Sequence, residues 1–81
     1  MKRAEVTWLD AEDHPSKWIS TADAEAFGQR SCTVVSLGYI ISDGPKYLTL
    51  GGDWCADEQD WGRTMKIPKG AIEKIDSWPE E

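Results

Sequence analysis

Residues 31–43 read SCTVVSLGYIISD, and no other stretch limits the fold as much. Apolar side chains recur there at every second position. Val35, Leu37, Tyr39 and Ile41 fall on one face of an extended chain, and Cys32, Val34, Ser36, Gly38 and Ile40 on the other. A helix would scatter these residues around its axis, so the spacing predicts a long strand. Gly38 in mid-run marks a bend or bulge, as a curved sheet needs.

The rest of the chain supplies partners for that strand. AEVTWLD at 4–10 reads as a first strand, with Val6 and Trp8 on one face and Thr7 and Leu9 on the other. AEDHPSKW, with Pro15, reads as a loop. STADAEAF at 20–27 reads as one short helix. Ser20 or Thr21 can cap it, Asp23 and Glu25 suit its first turn, and Gly28 is placed to end it. Two turns are marginal alone, so Ala22, Ala26 and Phe27 are expected to pack on the remainder. Trp18 is expected to lie as a lid over one end of the core. SDGPK supplies a turn, YLTLGG at 47–52 a third strand and RTMKIP at 63–68 a fourth. PKGAIEKI gives a turn and a short last strand, with Ile72 and Ile75 anchored in the core. Residues 79–81 are expected to be a frayed tail.

These elements predict one domain, 1–81, that is mainly β (α+β). The expected form is a small, strongly bent antiparallel five-stranded sheet or an SH3-like or Sm-like barrel, with one short helix at about 20–27. An Sm fold usually places its helix before the first strand, whereas here the helix falls between the first and second. A chain of this length buries only about 60% of its unfolded surface, so the core is small. Five tryptophans offset that in part, since a buried aromatic ring removes roughly 150–250 Å² from water.

Charge narrows the function. Fifteen acids against nine bases leave a net charge of −6. That opposes binding to nucleic acid or to anionic membranes, both of which need Lys and Arg. It favours, if anything, a basic partner. No apolar run is long enough to span a bilayer, and without a signal peptide the expected location is the cytoplasm. Cys32 and Cys55 have no CxxC or CxxH neighbour, so structural zinc is not expected, and in that compartment neither is a disulfide between them.

No catalytic group stands out. His14 is the only histidine and sits in a polar loop. Neither cysteine has a histidine or lysine beside it to activate a thiolate. The acids fall into two clusters, Asp10, Glu12 and Asp13 with His14, and Asp53, Asp57, Glu58 and Asp60; neither has the spacing of a calcium loop. An enzyme, a metal and a cofactor are therefore not expected.

The stretch GGDWCADEQDWG, residues 51–62, sets Trp54 and Trp61 on either side of an acidic loop between two strands. Two aromatics just inside a hairpin loop can pair across the strands and fix their register. If one ring stays exposed, Trp54, Asp57, Glu58, Asp60 and Trp61 form a candidate contact surface with an acidic rim.

VTWLDA, SLGYIISD, YLTL and IPKGAI, taken in order, resemble a group of small proteins encoded by tailed phages and prophages. The shared elements are W-x-D, V-x-x-G-[WY], a YL-x-L strand and I-P-x-x-x-I, over roughly residues 6–75. The resemblance implies a small β fold and an accessory protein, and it carries over no catalytic residues. With the charge and the missing chemistry, it leads to a non-enzymatic protein that binds and inhibits or modulates a host protein, such as a defence or takeover target. An alternative is an oligomeric sponge for a nucleotide-type small molecule, held by Arg30, Lys46, Arg63 and Lys66. Further alternatives are a minor virion component and, against the charge, an Sm-like RNA binder. Exposed edge strands make a homo-oligomer an expectation as well.

Overall fold

The computed structural model describes residues 1–79. The long period-two run forms β2 (Thr33–Asp43), which lies at the centre of a five-stranded antiparallel sheet. The other strands are β1 (Arg3–Leu9), β3 (Tyr47–Cys55), β4 (Asp60–Pro68) and β5 (Ile72–Trp78). Their order across the sheet is β4-β3-β2-β1-β5. One helix, α1 (Thr21–Gly28), lies between β1 and β2, and a 3₁₀ turn over Lys69–Ala71 joins β4 to β5. The Glu80–Glu81 part of the expected tail lies outside the described residues.

The two ends of β2 serve different partners. Thr33–Tyr39 pairs with β1, and Tyr39–Asp43 pairs with β3, with a bulge at Ile41. The changeover falls at Gly38, where a side chain is not tolerated. A Cβ there would lie 2.9 Å from the carbonyl oxygen of Gly51. The bend turns the β3–β4 hairpin across the β1–β2 pair and shelters one face. Ala4, Val6, Leu48 and Ile67 are fully buried there, Leu50 nearly so, and Trp8, Ile40 and Ile72 pack against them. The indole of Trp8 donates to Ser36 Oγ at 3.0 Å, so its burial leaves no polar atom unpaired.

The sheet is strongly bent but not closed. β4 and β5 remain free edges, linked only by their short turn, so the barrel alternative gives way to an open sheet. The residues between β1 and β2 also depart from expectation. Ser20 Oγ caps α1 by accepting from Asp23 N–H at 3.1 Å. Yet α1 has no buried residue. Ala22 and Ala26 face water, and Phe27 meets only local partners: the His14 ring at 5.0 Å and the Arg30 guanidinium at 4.7 Å. Trp18 is 86% exposed and covers nothing. An eight-residue helix with so weak an apolar stripe has little to bury.

Residues 10–32, with α1 among them, form an arm that adds no residue to the core. The molecule measures 52 × 24 × 20 Å, with a radius of gyration of 16.4 Å, against about 12 Å for a compact domain of this length. Its accessible surface is 6184 Å², against roughly 4,900 Å² expected for its mass. Ile75, placed in the core by its sequence spacing, is 40% exposed because β5 is an edge strand that only β1 flanks.

Gly38→Ala is expected to lower the urea midpoint by the equivalent of about 1–3 kcal/mol, the usual cost of forcing an atom into a filled contact. Gly28 has nothing within 4 Å of its Cβ position. Gly28→Ala is therefore expected to leave the midpoint unchanged or slightly raised. Equal effects in the two variants would show that the β2–β3 contact does not limit stability.

Candidate functional site

The acidic stretch forms a tighter hairpin than its composition suggests. β3, expected to end at residue 52, runs on to Cys55, and β4, expected to start at 63, starts at Asp60, so only a turn over Ala56–Gln59 separates them. Gln59 closes that turn with a φ of 57°, and its N–H donates to the Cys55 carbonyl at 2.7 Å. Trp54 and Trp61 stand directly opposite each other, with ring centroids 4.8 Å apart and planes tilted by 51°. Tyr39 of β2 adds a third ring, 5.8 Å from Trp61. The Trp61 ring lies over Gly51, where a Cβ would come within 2.4 Å of it. Both tryptophans are half-buried, so each ring gives part of its area to packing across three strands. Asp57, Glu58 and Asp60 are exposed beside this aromatic ladder.

Two residues further along, Arg63 adopts a φ of 50°, a left-handed conformation that a non-glycine residue adopts at a cost. Its guanidinium grips Asp53 across the hairpin. Nε donates to Oδ2 at 2.7 Å and Nη2 to Oδ1 at 3.2 Å. That hydrogen bond holds the Asp53 carboxyl below its usual range; desolvation opposes the shift, and the positive charge of Arg63 adds to it. The same pairing raises Arg63.

A cleft opens beside this pair. β2 upstream of Tyr39 pairs only with β1, and β3 beyond Gly51 pairs only with β4. Past that point the two hairpins part and leave a cavity of about 440 Å³. Ser36 and Leu37 form one wall, and Gly52, Arg63, Thr64 and Met65 the other. A smaller cleft shares Leu37, Gly52 and Arg63 and extends to Arg3 and Trp78. Leu37 is 67% exposed and its neighbour Val35 58%, although both belong to the central strand. Met65 and Trp78 are also well exposed.

The structure sorts the residues proposed from sequence. Trp54 and Trp61 come together with the three acids of the tip, as one end of the β3–β4 hairpin. The four cations of the alternative do not converge. Arg30 lies on the arm, paired with Glu12 at 2.9 Å, and Arg63 is taken by Asp53. Lys66 sits over the Tyr47 ring at 4.7 Å, and Lys46 lies in the turn before β3. Among the described residues no cluster of three or more His, Cys, Asp or Glu side chains is arranged to hold a metal ion. His14 Nδ1 accepts from the Ser16 N–H at 3.0 Å. Both thiols are free. No helix among the described residues is long and apolar enough to cross a membrane.

Leu37, Val35, Met65 and Trp18 are the surface residues that sequence reasoning missed. Leu37 and Val35 belong to a correctly paired period-two face. Trp61 covers that face at its Tyr39 end, and among the described residues the Val35–Leu37 end stays open. Comparison with protein-family models, with curated proteins and with solved structures finds no match to this chain.

The Asp53–Arg63 pair predicts a pH dependence. The folded-state pKa of Asp53 lies below its ordinary value of 3.8. Its stabilisation is therefore complete above that value and is lost as pH falls through the lowered folded value. The gap in urea midpoint between the native chain and Asp53→Asn should be open at neutral pH and should close as pH falls through the lowered folded value. A gap that does not change with pH would mean that the ion pair does not stabilise the hairpin.

Proposed function

We propose that this is a non-enzymatic accessory protein of phage or prophage type that acts by binding a host protein and inhibiting or modulating it. The observation that carries this reading is the exposure of Leu37 on a central strand at the lip of the cleft. A large apolar side chain on a central strand is normally covered, and an open apolar surface with a polar rim is characteristic of protein-binding faces. Met65 and Trp78 extend that surface, and Arg63 sits at its rim.

The contact surface therefore shifts from the one suggested by sequence. Trp54 and Trp61 shape and stiffen the hairpin, while Asp57, Glu58 and Asp60 add a negative tip that would speed encounter with a basic partner.

The test is capture from bacterial lysate with tagged protein, read by native mass spectrometry. Leu37→Thr keeps β propensity but removes the apolar anchor. It is expected to fold normally by circular dichroism and to weaken the captured complex by about tenfold or more. Neutralising the tip with Asp57→Asn and Glu58→Gln is expected to slow association at low salt and to have little effect at high salt. A complex indifferent to Leu37→Thr, or a retained small molecule with no protein, would overturn this reading.

A further inference from the structure

The two free edges of the sheet differ in a way that points to a second copy of the chain. β4 is a poor edge for pairing. Its backbone turns left-handed at Arg63, and it ends in Pro68, which has no N–H to donate. Such features keep sheet edges from joining. β5 is different. Glu73 is bulged out of the register with β1, but Lys74–Trp78 then pair with it without interruption. Every residue from Glu73 to Trp78 is exposed, and among the described residues no strand lies on the outer side of β5.

The β5 sequence is self-complementary in one register. In an antiparallel pair of identical strands centred on Ile75, Lys74 of each copy stands opposite Asp76 of the other, and the two Ile75 side chains meet. Moving the centre to Asp76 sets Asp76 against itself, and moving it to Lys74 does the same with lysines. Half-step registers set Glu73 against Asp76, or Ile75 against Asp76. A chain of net charge −6 resists self-association, so only a register that matches charges locally is available. Within one chain Lys74 Nζ and Asp76 Oδ2 are already 3.3 Å apart, on the same face of β5. Two copies would close these into a four-charge square of alternating sign. Ile75, at 40% exposure, would gain an apolar neighbour.

We propose that β5 is the contact strand of a homodimer, in which two copies join edge to edge about a two-fold axis through Ile75 and continue one sheet across both. The interface is isologous, as a two-fold dimer requires. One short strand pair buries little area, so the dimer is weak and its population rises with protein concentration.

Sedimentation analysis of the full chain over a concentration series tests this. The expected result is a monomer of 9.1 kDa passing reversibly to twice that mass. Lys74→Asp or Asp76→Lys alone places like charges opposite each other twice per dimer, and each is expected to weaken dimerisation by about tenfold or more. The combined Lys74→Asp/Asp76→Lys variant restores opposite charges and is expected to recover the native dissociation constant. Circular dichroism confirms folding of each. In a chain carrying Cys32→Ser and Cys55→Ser, mild oxidation is expected to cross-link Ile75→Cys into dimers and to leave Ser77→Cys unlinked. A chain that stays monomeric at millimolar concentration would overturn the proposal. So would a dimer that both single reversals leave intact, or one that the combined variant fails to restore.

Discussion

The close crossing of β2 and β3 at Gly38 and Gly51 is the contact on which the rest of the structure depends. A Cβ on either residue would meet the neighbouring strand's carbonyl in one case and the Trp61 ring in the other. With no side chain between them, the strands approach closely enough for β2 to leave β1 and join β3 within a few residues. That changeover sets Leu48, Leu50 and Ile67 against Ala4 and Val6. It also forces the two hairpins apart beyond the crossing, which opens the cleft at Leu37. Core and cleft thus have one cause, and a flat sheet of the same strands would have neither.

Small size makes this economy necessary. Among the described residues five form the buried core, which is little apolar burial for a chain of this length. The half-buried aromatics add what the core lacks. Trp8 closes one side of it and satisfies its indole on Ser36. Trp61 seals the glycine crossing from the other side and leans on Trp54 and Tyr39. The hairpin is thereby held out from the sheet with its acids in water. The question raised by tryptophans flanking an acidic loop has a structural answer: the rings fix the stem, and the charges belong to the tip.

Much of this was legible in the residues, and what escaped has identifiable causes. The period-two run at Thr33–Asp43 and the glycine within it foretold both the central strand and its bend. The two cap candidates, Ser20 and Thr21, placed the start of α1 to within one residue, and the structure selects Ser20. Alternation cannot tell which of two apolar faces is buried, so Val35 and Leu37 read as well for core as for surface. Trp18 was expected as a lid over the core and Ile75 within it because large apolar residues usually go there, a rule that fails where no element comes to meet them. The hairpin of Trp54 and Trp61 was shortened in the reading because Asp and Gly interrupt its strands, whereas cross-strand ring contact extends pairing through them. The four scattered cations show the limit most clearly, since sequence gives their number but not their convergence.

An open sheet in so small a protein has a cost that bears on function. Closing the barrel would remove both free edges and cover more apolar surface. Among the described residues this chain leaves the outer edges of β4 and β5 without a partner strand and Leu37 in water. The strain at Arg63 falls at the same place, where the left-handed turn and the grip on Asp53 hold the cleft's outer wall in position. Backbone strain of this kind persists only where surrounding contacts fix it, and it concentrates at sites where geometry matters more than stability. The exposed central strand, the strained wall facing it and the hairpin that carries that wall form one unit shaped around an opening.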